Sequence, residues 1–117
     1  MKNTYVFINN NIFPSLLAES AQEQEQGLMF IEPPAPIMTF AYNTPRVNKF
    51  WMKNTKAPLD IIFCCNGKVI DICYGEPFST KILGPDKSSD LVIEVPSGTA
   101  AIADIKIGHL AGLISNI

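Results

Sequence analysis

Lys53, Asn54, Thr55 and Asp60 are the side chains of this sequence best placed to do chemistry together. They lie in the run Phe50-Trp51-Met52-Lys53-Asn54-Thr55 and in Pro58-Leu59-Asp60-Ile61-Ile62-Phe63, which follows closely. The surroundings read as core strand, and a polar group carried into a core must find partners. A Lys and an Asp within reach of each other bind anionic or polyhydroxyl ligands, and Trp51, the sole tryptophan, would serve as a stacking platform. A desolvated Lys is also a base or nucleophile once its pKa falls. Glu94, inside the apolar run Leu91-Val92-Ile93-Glu94-Val95, is a sixth candidate. Strand alternation directs it outward, unless it turns to join Lys53 and Asp60. A structural reading competes with all of this. Lys53 and Asp60 pair, Asn54 and Thr55 satisfy turn backbone groups, and Asp60 caps the turn that Pro58 forces.

Other chemistries have weaker support. The three cysteines, Cys64, Cys65 and Cys73, do not make a disulfide framework. With one histidine, His109, and no Cys-x-x-Cys, no metal site is expected. Cys64 and Cys65 are strand neighbours and point to opposite faces. A Cys–His pair would need hydrogen-bond reach to a histidine distant in sequence. Ser97-Gly98-Thr99 opens a short helix, where Ser97 or Thr99 reads as an N-cap. Gly27-Leu28-Met29-Phe30 reads as a helix stop followed by entry into the core. There is no phosphate loop, dinucleotide fingerprint, zinc-protease motif or nucleophile elbow, so no cofactor is expected.

The elements that must position these residues are short. The chain has 117 residues, 47% of them hydrophobic and 17% charged, which fits one domain spanning 1–117 with a real core. Residues 4–9 read as a strand, Asn9-Asn10-Asn11 as a turn, and Ile12-Phe13 as the start of a return strand. Ser20 and Glu23 make a capping box for a helix over 21–26, closed by Gly27. The proline loop 31–36 is extended. Strands follow at 37–42 and 47–52, separated by a turn at 43–46. Asn66-Gly67 joins strands 59–65 and 68–74 in a hairpin. With a two-residue loop, Cys65 pairs with Lys68 and Asp60 with Cys73. That register places Leu59, Ile61, Phe63, Ile70, Ile72 and Tyr74 on one face, the core; a bulge would flip one strand's faces. Residues 75–89 read as loop, 91–95 as strand and 100–104 as helix, with a last apolar segment ending near Ile114. The pattern predicts a mainly β fold, a sandwich or partly open barrel with two short helices.

The net charge of -2 and the dispersed Lys and Arg residues give no nucleic-acid footprint. No apolar stretch approaches the roughly 20 residues that cross a bilayer. Residues 1–8 read as a strand and not as a signal peptide. The expectation is a soluble, cytoplasmic chain without nucleic-acid or membrane partners; its oligomeric state is open.

Several of these pieces together resemble the domain-of-unknown-function family 192. They are Gly27-Leu28-Met29-Phe30, Phe50 to Thr55, Pro58 to Phe63, Glu94-Val95-Pro96-Ser97-Gly98-Thr99-Ala100, and the closing Ile105-Lys106-Ile107-Gly108. The resemblance covers roughly residues 4–114. It implies a β-rich, compact jelly-roll-like sandwich or barrel. It implies no activity, and no catalytic residue or cofactor is carried over. The chain departs from the family at Cys64-Cys65, in the proline loop and around Gly84-Pro85.

Three functions remain open on the residues alone. The first is a non-catalytic module that binds a small polar molecule or a peptide through a cleft around Trp51, Lys53, Asn54, Thr55 and Asp60, with Glu94 joining them. The second is a hydrolase or transferase using Asp60 with Glu94 or Lys53, two titratable groups dividing acid and base roles. The third is a structural or assembly subunit that pairs through an edge strand or the proline loop.

Overall fold

The computed structural model describes residues 1–114. The chain runs β1 (Lys2–Ile8), β2 (Asn11–Ala18), α1 (Ala21–Gln26), β3 (Met38–Val47), β4 (Leu59–Cys65), β5 (Lys68–Gly75), β6 (Ser88–Pro96), α2 (Thr99–Ile102) and β7 (Ala111–Ile114). The seven strands form one sheet in the order β5-β4-β6-β3-β2-β1-β7, curled into a half-barrel. All neighbours are antiparallel except β2 and β3. That parallel pair requires a crossover, and α1 with the proline loop supplies it.

Local chemistry explains the short elements. The Ser20 hydroxyl accepts the Glu23 N–H at 3.1 Å while the Glu23 carboxylate accepts the Ser20 N–H at 3.1 Å. These bonds to backbone N–H groups hold the Glu23 carboxyl below its ordinary range. Gly27 then leaves the helix with φ +52°, a conformation that costs glycine little. The helix occupies the expected 21–26.

Both faces of the central strands are covered. One core gathers Phe40, Met52, Leu59, Ile61, Phe63 and Val92 with their neighbours. The other gathers Val6, Ile8, Ile62, Cys64, Ile93 and Val95. Strand β4 therefore alternates between two interiors and has no solvent face, which is why it reads as a continuous apolar run.

The structure departs from the sequence expectation at three places. The Asn66-Gly67 loop has two residues and Cys65 faces Lys68, but the register shifts between Phe63 and Cys64. Asp60 consequently faces Tyr74 instead of Cys73. Ile70 remains with the first core, Ile72 turns to the second, and Tyr74 is exposed. One inserted residue reverses the faces beyond it because the side-chain period of a strand is two. The second departure is that the turn expected at 43–46 is an irregular stretch inside β3, which resumes pairing at Arg46 opposite Ser89. The third is the strand expected at 47–52, which reduces to one bridge between Phe50 and Leu83.

That bridge draws residues 82–84 tightly against residues 48–50. Gly84 has φ +130°, and a Cβ placed there would stand 2.6 Å from the Asn48 carbonyl oxygen and 3.1 Å from the Phe63 ring. Buried Asn48 is itself fully engaged. Its Nδ2 donates to the Ser89 carbonyl at 3.0 Å and to the Ser89 Oγ at 2.7 Å, and its Oδ1 accepts from Arg46 Nε at 3.0 Å.

Candidate functional site

The loop that follows the Phe50 bridge is pinned from both sides. Met52 N–H donates to the Ser79 carbonyl, Phe78 N–H to the Thr55 carbonyl and Phe30 N–H to the Asn54 carbonyl, at 2.9, 3.0 and 2.9 Å. Thr55 is buried, its hydroxyl donating to the Lys53 carbonyl at 3.1 Å. Asn54 has φ +56°, a left-handed geometry that Asn tolerates better than most residues. The loop is thereby a fixed wall rather than a mobile tip.

Behind this wall lies a cavity of about 370 Å³. Its sides are α1, the turn after it, β3 and residues 48–55. Phe40, Phe50, Trp51 and Met52 give it an apolar lining, and Gln24, Tyr42, Arg46 and Glu94 give it polar edges. Trp51 is 43% exposed and stands at the rim, while Met52 is buried.

Glu94 is the unusual member. It faces Ile61 on β4 and Met38 on β3, so it shares the face of the first core and is only 4% exposed. The outward direction expected from alternation does not exist on a strand covered on both sides. No protein group hydrogen-bonds its carboxyl among the described residues, yet no fully buried side-chain oxygen there lacks a partner. The two facts together mean that the Glu94 oxygens open into the cavity. Burial alone pushes its pKa from the ordinary 4.5 up to about 8, because loss of water penalises the carboxylate and no cation offsets it. Burial also raises the nearby Tyr42 phenol, against the pull of Arg46 and with the help of Glu94.

The cations along this cavity are already engaged. The Arg46 guanidinium lies 4.3 Å from the centroid of the Tyr42 ring, a cation–π contact, and bonds Asn48. Lys49 Nζ is 2.7 Å from both the Gly84 carbonyl and the Asp86 carboxylate.

The six residues selected from sequence divide into three groups. Trp51, Thr55 and Glu94 line the cavity. Lys53 and Asn54 line an adjoining groove with Trp51, and Lys53 Nζ sits 5.2 Å from the Trp51 ring centroid. Asp60 is on the opposite side of the sheet. It pairs with Val95 while Ile61 pairs with Glu94, so the pleat turns Asp60 and Glu94 to opposite faces. The Asp60 carboxylate accepts the N–H groups of Gly98 and Ala100 at 3.0 and 3.1 Å. A strand residue thus caps α2, where neither Ser97 nor Thr99 makes a side-chain cap. Lys53 and Asp60 form no ion pair among the described residues. Asp60→Ala removes two charge-assisted bonds and should lower stability by about 2 kcal/mol. A urea midpoint reads this, and a loss under about 0.5 kcal/mol, the size of an ordinary surface change, would show that α2 does not need the cap.

Cys64 and Cys73 are free thiols, and burial pushes Cys64 up to about 12, so it is inert. His109 Nδ1 accepts the Lys106 N–H at 3.0 Å, which fits a local turn. Sequence reasoning missed Gln24, Tyr42, Arg46 and Asn48 as neighbours of the site. Tyr42 shares the face of Phe40 by alternation, and that signal was available. Nothing in the sequence marks Arg46 or Asn48, because both depend on the irregular stretch of β3.

The comparisons bear on this arrangement. The model of the domain-of-unknown-function family 192, described as an uncharacterised ACR, matches residues 5–111. The chain belongs to this family. Two solved structures share the half-barrel. One is a protein of unknown function from Novosphingobium aromaticivorans DSM 12444, with 32% identity, a TM-score of 0.88, and coverage of 94% of this chain and 84% of that one. The other is named as a candidate transcription regulator from Sinorhizobium meliloti 1021, with 26% identity, a TM-score of 0.90, and coverage of 96% and 94%. No curated protein matches the chain. The resemblance read from Phe50 to Thr55 and from Glu94 to Ala100 agrees with the family match, and both segments fall within it. No described helix is long and apolar enough to cross a membrane.

Proposed function

We propose that this member of family 192 is a non-catalytic binding domain that holds a small polar molecule in the cavity between α1, β3 and residues 48–55. The observation that carries the reading is Glu94: a buried carboxyl without a protein partner among the described residues, open to a cavity walled by a pinned loop. A buried polar group left unpaired costs stability, and a ligand that satisfies it recovers that cost on binding. The volume suits a small molecule, and α1 over the cavity favours this over a peptide. Catalysis has less support, since Asp60 faces away from Glu94 and no Ser, Cys or His among the described residues lines the cavity. The name of the Sinorhizobium protein raises nucleic-acid binding. Here the net charge is -2 and the nine Lys and Arg residues are dispersed along the chain, which gives that reading no basic patch to rest on.

Trp51 is a built-in reporter at the cavity rim. A panel of small polar fragments, screened by amide and indole NMR shifts with Trp51 fluorescence in parallel, should yield saturable binders. Their shifts should centre on Trp51, Thr55 and Glu94. A panel that yields no binder, or binders that shift only residues around Asp60 and α2, would end this reading.

A further inference from the structure

Resting on that reading of the cavity, we propose that its ligand carries an organic ammonium group, which pairs with the Glu94 carboxylate while its carbon skeleton packs against the rings of Phe40, Phe50 and Trp51. Three features of the cavity lead there. The Glu94 carboxyl lines it and has no donor from the protein among the described residues. In its ionised form this carboxylate accepts hydrogen bonds only, so that form lacks a donor, and a cationic donor is the strongest and draws the proton off the neutral acid. Aromatic residues Phe40, Phe50 and Trp51 line the same cavity, and aromatic rings attract cations. The protein's own cations do not take the position. Arg46 lies on Tyr42 and bonds Asn48, and Lys49 is held by Asp86 and the Gly84 carbonyl. A neutral or anionic ligand would take a single hydrogen bond from the protonated acid and forgo the ion pair that a cation gains with the carboxylate.

The titratable and charged groups facing Glu94 across the cavity are few. Strand β3 brings Tyr42 and Arg46, residues 48–55 bring Lys49, and α1 brings Glu25 at the edge. Strand β4 brings only Leu59, Ile61 and Phe63 on that face. None of them is positioned as a counterion for Glu94, whose shift has burial as its sole cause. Glu94 is therefore mostly protonated at neutral pH, and capture of an ammonium expels that proton to the solvent. One proton leaves for each ligand bound, and the ammonium keeps its own. By linkage, affinity rises about tenfold per pH unit below the Glu94 pKa and levels off near it.

Benzylammonium, benzamide and benzoate, similar in size and different in charge, test this. Calorimetry would be run at about pH 6, 7 and 8 in buffers of different ionisation enthalpy, with NMR shifts locating each probe. The expected result is benzylammonium binding near Trp51 about tenfold more tightly at each step from pH 6 to 7, with a smaller gain to 8. Release of close to one proton at the lower pH values should accompany it, and Glu94→Gln should weaken it at least tenfold at pH 8. The Gln side chain is nearly isosteric, and an unchanged spectrum shows that the variant folds. The wild-type proton count stands independently if it does not. Benzamide binding as tightly as benzylammonium, or benzylammonium binding without proton release, would overturn the ammonium assignment and leave the cavity as a ligand site. No binding of any of the three near Trp51 would overturn the assignment. A wider fragment panel that is also silent there would remove the binding site itself.

Discussion

Raising the pH from about 5 to about 8 should destabilise the protein by on the order of 3 kcal/mol, and Glu94→Gln should remove most of that loss. The unfolded chain ionises this carboxyl near its ordinary value of 4.5, whereas the folded chain holds the proton to about 8. Between those values the folded state binds more protons than the unfolded state, so stability falls as pH rises. The contribution is complete below pH 4.5 and gone above about 8. Glu23 and Asp86 act in the opposite sense, because their folded pKa values are lowered by backbone N–H groups and by Lys49 respectively. Their titration lies below this window. The Cys64 thiol, pushed up to about 12, adds a further loss only as the unfolded thiol ionises above pH 8. Urea midpoints across the range provide the measurement. A wild-type profile that is flat or rises from pH 5 to 8 would mean that the Glu94 carboxyl is solvated or paired in solution.

Gly84→Ala should cost about 3 kcal/mol or more, against roughly 1 kcal/mol for Gly67→Ala. Both glycines have positive φ, +130° and +79°, so both substitutions force a side chain into strained backbone. They differ in surroundings. A Cβ at Gly67 has nothing within 4 Å, whereas one at Gly84 is blocked by the Asn48 carbonyl at 2.6 Å and by Phe63. A carbonyl in a bridged segment does not swing aside as a side chain would. Relief would separate residues 82–84 from 48–50, which breaks the Phe50–Leu83 bridge and loosens the wall of the cavity. Equal costs at the two positions, read by urea unfolding, would show that strain alone governs both.

How much of this was legible in sequence depends on the range of the interaction. The α1 helix was readable to the residue because its determinants, Ser20, Glu23 and Gly27, are local. The Asn66-Gly67 turn was readable for the same reason. The register beyond it was not, since the shift at Phe63 is set by how β5 packs on two cores. Glu94 shows the same limit. An acid between Ile93 and Val95 reads as outward only if the sheet has an outside, and coverage of both faces is a property of the whole chain. Asp60 stood out as a polar residue in a core strand, but its partners at Gly98 and Ala100 are far along the sequence. Lys53, Asn54 and Thr55 read as a cluster in the sequence, although the wall they shape is held by backbone bonds from Phe30 and Phe78.

Near one end of the curled sheet its two outer strands almost meet. Lys68 bridges Leu110, Val69 exchanges hydrogen bonds with the 108–109 turn, and Ala111 N–H reaches the Gly67 carbonyl just before β7 pairs with β1. This seam has a consequence in time. On the ribosome, β1 emerges before the other strands of the sheet and can pair with β2 at once, yet its other edge has no partner until residues 111–114 appear. The β5 edge near Lys68 likewise waits for residues 108–111. Nascent chains that end before the seam carry two open strand edges, the surfaces most prone to join another chain. The half-barrel therefore gathers from two sides, β1 with β2 and β4 with β5, is joined through β6 between β4 and β3, and is sealed last. The stretch from Gly108 to Ile114, remote from Glu94, governs whether a growing chain stays solitary long enough to form the cavity.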